Sequence, residues 1–70
     1  MTHWEQTLAQ LMINIIKDAE ARVSFQLEYP NTNPNDPNQR DHSRIPNLII
    51  VWDCGTLDTW YYEGRDWFNN

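Results

Sequence analysis

The run Leu48-Ile49-Ile50-Val51-Trp52 constrains the fold of this chain more than any other stretch. It is short, rich in β-branched and aromatic side chains, and bounded by Pro46 and Asp53, which favours a strand over a helix. Its apolar residues fill both faces, so it belongs in the middle of a small sheet with something over each side. A second run, Thr59-Trp60-Tyr61-Tyr62, follows closely enough to form a hairpin with it. A four-residue connection from Cys54 to Leu57 sets Val51 opposite Trp60 and Ile49 opposite Tyr62. One face then collects Ile49, Val51, Trp60 and Tyr62; the other collects Leu48, Ile50, Trp52 and Tyr61.

A partner for that hairpin lies at the start of the chain. Residues 2 to 23 contain neither proline nor glycine, and Trp4, Leu8, Leu11, Met12, Ile15, Ile16, Ala19 and Val23 recur at helical steps. Thr2 with Glu5 forms a capping box at its start. Gln6, Thr7, Gln10, Asn14, Lys17, Asp18 and Ala21 take the opposite side, and Ile13 stands outside the stripe. Such a helix gains most of its stability by laying its stripe on a sheet. From Ser24 to Tyr29 the period changes to two: Phe25, Leu27 and Tyr29 alternate with Gln26 and Glu28, predicting a half-buried strand ended by Pro30. The expected fold is α+β: one N-terminal amphipathic helix on a three-stranded antiparallel sheet, in the order α-β-β-β, forming one domain over residues 1–70.

Between the first strand and the hairpin, residues 30–46 are dominated by proline, asparagine and aspartate, with no apolar side chain other than proline before Ile45. A loop of that length in a small domain is either a mobile connector or a recognition element; we expect the connector. Its second half, with Arg40, His42 and Arg44, is the one locally basic stretch. Glu63-Gly64-Arg65-Asp66 reads as a turn, and Trp67-Phe68 as an apolar anchor that packs back on the body.

Several chemistries can be set aside. Asn31, Asn33 and Asn35 resemble half of a calcium loop, but Asp36 stands where the glycine belongs and His42 where the glutamate belongs. His3, His42 and Cys54 have no ligand spacing. Asp41-His42-Ser43 has the residue types of a triad, yet consecutive loop residues point apart. Cys54 lacks a cationic neighbour and is expected to be a small, half-buried residue before Gly55. No enzyme, metal or cofactor is expected. A single cysteine rules out an internal disulfide, and the N-terminus lacks the basic and apolar regions of a signal peptide, so a cytoplasmic location is expected.

Ten acidic residues against five basic ones give a net charge of -5, which disfavours nucleic-acid backbones and anionic membranes as partners. One helix covers one sheet face, leaving the other rich in apolar side chains, and such a patch on a small protein marks an interface. The candidate protein-binding residues are Leu48, Ile50, Trp52 and Tyr61, with Asp53, Asp58, Glu63 and Asp66 as the acids that would steer a basic partner. The expected function is a small acidic regulator or inhibitor docking on a larger protein. A sharper form has the acids imitate a phosphate backbone, as phage-encoded inhibitors of nucleases do. The alternative is a structural subunit or homodimer using the same apolar face.

Overall fold

The computed structural model describes residues 1–69 and has one helix, α1 (His3–Ala19), followed by four strands: β1 (Val23–Glu28), β2 (Asn47–Trp52), β3 (Leu57–Glu63) and β4 (Asp66–Asn69). The strands form one antiparallel sheet in the order β1-β2-β3-β4, an α+β fold of the type α-β-β-β-β. The sheet therefore has one strand more than expected.

At the start of α1, the Glu5 carboxylate accepts from the Thr2 backbone N–H (3.1 Å) and from its hydroxyl (2.6 Å). The Gln6 N–H then closes the first turn on the Thr2 carbonyl. The helix stops four residues short of the expected end. Glu20 and Ala21 both adopt left-handed conformations, at φ 53° and 61°, and the Ala21 N–H returns to the Ile16 carbonyl at 3.1 Å. This is a Schellman ending without the customary glycine, which frees Val23 to begin β1.

Leu8 from the helix, Leu48 and Ile50 from β2 and Trp67 from β4 form the buried core. Around them pack Trp4, Leu11, Met12, Ile15, Val23, Phe25, Trp52, Trp60 and Tyr62. The even-numbered positions of β2 and β3 thus point at the helix. Burying a side chain such as Leu48 is worth about 1.5–3 kcal/mol, so this thin core supplies most of the driving force. The helix is further tied to the far strand by the Trp67 indole N–H, which donates to the Thr7 hydroxyl at 3.0 Å.

The hairpin register differs from the expected one. Leu48 pairs with Trp60, Ile49 with Thr59, Ile50 with Asp58 and Val51 with Leu57. The cause is the turn: the Trp52 N–H reaches the Thr56 carbonyl and the Gly55 N–H reaches the Trp52 carbonyl, both at 2.9 Å. Only Asp53, Cys54 and Gly55 lie between the paired ends, with Gly55 at φ +93°, the left-handed residue that such a three-residue loop needs. Compared with the expected pairing, β3 slides by an odd number of residues, so its side chains exchange faces. The second turn is tighter. Glu63 pairs with Asp66 across Gly64-Arg65, with a positive φ at Gly64 but not at Arg65, which fits a type II′ hairpin. Trp67 and Phe68 are thus part of a strand, and Trp67 packs back on the body.

The segment between β1 and β2, expected as a connector, is a self-bonded arm. Asn31 and Arg40 form an isolated antiparallel bridge, with the Thr32 N–H on the Gln39 carbonyl and the Asp41 N–H on the Pro30 carbonyl. Side-chain oxygens of Asn31, Asn33, Asp36 and Asp41 each accept the backbone N–H two residues on, from Asn33, Asn35, Asn38 and Ser43. The asparagine spacing therefore builds a chain of Asx turns.

Candidate functional site

Strand alternation sorts the sequence-derived candidates onto two different surfaces. Leu48 and Ile50 are 0% and 1% exposed beneath α1, and Trp52 packs beside them against the same core. Leu48 and Ile50 cannot form a free docking surface, because the helix lies over that face; Trp52, half-buried, stands on the same helix side rather than on the open face. Asp58 also belongs to the helix side, where its carboxylate accepts the Trp52 indole N–H at 2.7 Å. It satisfies an indole that would otherwise lose its hydrogen bond on burial.

Tyr61 stands on the opposite, open face. With it, by the pairings Ser24↔Val51, Gln26↔Ile49, Ile49↔Thr59, Val51↔Leu57 and Tyr61↔Phe68, stand Ile49, Val51, Leu57 and Phe68. Their side chains run diagonally from the β2–β3 turn to β4. Leu57 is 62% and Phe68 46% exposed, and the Tyr61 and Phe68 rings lie 5.9 Å apart. Glu63 and Asp66, both exposed and paired across the tight turn, sit on this face just beyond Tyr61 and Phe68. Asp66 also accepts the Trp67 backbone N–H at 3.1 Å. Asp53, exposed in the β2–β3 turn, is at the other end of the sheet. The structure thus joins Tyr61, Glu63 and Asp66, and separates them from Leu48, Ile50, Trp52, Asp53 and Asp58. Reasoning from the sequence missed Leu57 and Phe68 as members of the patch. The glycine at position 55, which sets the turn length and hence the register, was the signal that could have found them.

Two further features bear on chemistry. Cys54 is exposed at the hairpin tip, not half-buried, and the Thr56 hydroxyl 3.3 Å from its sulfur holds the thiol below its usual pKa. In the arm, the Ser43 hydroxyl and N–H both bond to the Asp41 carboxylate and hold it below the ordinary carboxylate range. Among the described residues no group of histidine, cysteine, aspartate or glutamate is arranged to hold a metal. The Asn31 and Asn33 side-chain oxygens are spent on backbone amides instead. No described helix is long and apolar enough to cross a membrane.

The chain matches no protein-family model, no curated protein and no solved structure.

Proposed function

We propose that this chain is a small acidic regulator that binds a larger protein through its open sheet face. The observation carrying this reading is the one-sided helix: it leaves Ile49, Val51, Leu57, Tyr61 and Phe68 facing outward as a continuous apolar diagonal that ends at Glu63 and Asp66. Apolar surface of that kind favours a partner, with the aromatic pair as its anchor and the acids orienting a basic rim. Three acids at one end of the face, Glu28, Glu63 and Asp66, are too few to imitate a phosphate backbone.

The test is affinity capture from the native host with the wild type, with Tyr61→Ala/Phe68→Ala, and with Glu63→Gln/Asp66→Asn, each first checked for folding by circular dichroism. A partner retained by the wild type should be lost with the aromatic variant, whose affinity should fall by about 2 kcal/mol or more. The amide variant should associate more slowly and with a flatter dependence on salt. Equal binding by all three at every ionic strength would remove this face from consideration.

A further inference from the structure

We propose that β1 pairs with β1 of a second copy of this chain, making a twofold-symmetric dimer with one continuous sheet. The surface is distinct from the open face and does not depend on the reading given for it. β1 is an edge strand, and its pairing with β2 runs from Val23 to Glu28 without a skipped residue. It has no proline, no lysine and no bulge, although Arg40 and His42 of the arm lie beside its Gln26–Glu28 end. The other edge, β4, is short.

The pairing geometry selects one register. The Asp53 N–H donates to the Arg22 carbonyl at 3.2 Å, so the backbone groups of even-numbered residues point toward β2. By alternation, the N–H and C=O groups of Val23, Phe25 and Leu27 point outward. Just beyond the strand, Arg40 donates to the Tyr29 carbonyl at 2.9 Å and the His42 ring lies 4.4 Å from that of Tyr29, which closes the edge there. A symmetric antiparallel pair confined to Val23–Leu27 is centred on Phe25, with Val23 opposite Leu27 of the second copy. That register sets Arg22 opposite Glu28 of the second copy, and symmetry repeats the pairing. Both side chains are exposed, and among the described residues neither is in an ion pair. Opposite charges facing each other across a strand pair favour that register over its neighbours.

Apolar surface lies where the second copy would cover it. Leu27, on the helix side of β1, is 45% exposed, and Ile16 on α1 is 41% exposed. Thr7 is held at β4 by Trp67, and Ile16 follows it by two and a half helical turns, so it lies on the flank facing β1. Joining the two edges sets Leu27 against Val23 of the second copy, with Ile16 above each junction. The contact is self-complementary, as a twofold interface must be.

Sedimentation equilibrium of the full chain across the micromolar range tests this. The expected mass is twice the 8.4 kDa of the chain. Leu27→Lys, at an exposed position and checked for folding by circular dichroism, should be monomeric. Arg22→Glu and Glu28→Arg should each weaken dimerisation by about tenfold or more, and the double exchange should restore it. A monomeric wild type would overturn the proposal. So would a dimer that survives Leu27→Lys, or one broken instead by Tyr61→Ala/Phe68→Ala, which would place the contact on the open face.

Discussion

Ile49 and Ile50 are neighbours in sequence with opposite fates, and truncating each to alanine measures the face assignment directly. Ile50 is 1% exposed within the cluster of Leu8, Leu48 and Trp67. Its truncation removes three carbons, worth about 2.4 kcal/mol at ~0.8 kcal/mol per buried methylene. The cavity left behind adds to this, since the surrounding side chains relax only partly, and the whole change should fall within about 2–5 kcal/mol. At roughly 0.05–0.15 kcal/mol per residue, a 70-residue chain has about 4–10 kcal/mol of stability in total. Ile50→Ala should therefore lower the thermal midpoint by on the order of 10–20 °C or more. Ile49, half-buried on the open face, leaves no closed cavity, and its loss should amount to about 1 kcal/mol. Urea denaturation followed by tryptophan fluorescence gives both values, provided the slope of the transition stays that of the wild type. Equal losses, or a larger one at Ile49, would mean that the helix covers the other face and would refute the placement of the apolar diagonal.

Other expectations follow from single contacts. Trp67→Phe should cost about 2–4 kcal/mol, from the lost bond to Thr7 together with the core volume the smaller ring leaves empty, while Trp67→Ala should cost about 3–5 kcal/mol or more by chemical denaturation. Glu20→Gly should raise stability by about 1 kcal/mol, because φ 53° is strained for glutamate and free for glycine. Bonds from Thr2 hold the Glu5 carboxyl below its ordinary pKa, so its contribution is complete above the unfolded-state value and is lost as pH falls through the folded one; the advantage of wild type over Glu5→Gln should vanish on acidification. Amides of Asn33, Asn35, Asn38 and Ser43 should exchange hydrogen more slowly than open-chain amides, and Asp36→Ala should abolish that protection at Asn38.

The helix and the β2–β3 hairpin were legible because both rest on periodicity: the helical stripe predicts Leu8, Leu11 and Ile15, and the apolar run predicts a central strand. What the pattern left open was which face the helix covers. Leu48-Ile49-Ile50-Val51 is apolar at every position, so it fits either side equally well, and only the turn decides. The Asp53-Cys54-Gly55 loop does so through one left-handed glycine. A four-residue connection in its place would put Tyr61 on the face of Leu48, Ile50 and Trp52, whereas the three-residue loop puts it beside Leu57 on the other. β4 was missed for a related reason: four residues are too few to show a period, and Gly64 at the first position of a two-residue turn was its only local mark. The helix end was less legible still, since Glu20 and Ala21 adopt a backbone form that their side chains do not favour. The arm was recognised by composition but not by architecture, because turn-forming residues do not announce whether successive turns interlock.

The bond between Thr7 and Trp67 spans 60 positions of the chain, and this separation has a consequence during synthesis. The helix leaves the ribosome before the strand that fastens its far flank has been made. At about 5–20 residues per second, the stretch from Glu20 to Trp67 takes roughly 2–10 s to translate. An isolated helix of this length is marginal in water, so the nascent segment flickers between coil and helix with its apolar stripe exposed. The sheet can assemble meanwhile by consecutive hairpins, each closing a short loop. The helix can meet Leu48 and Ile50 once β2 is made, but its fastening through Thr7 waits for β4, and until then a chaperone has access to Leu8, Leu11 and Ile15.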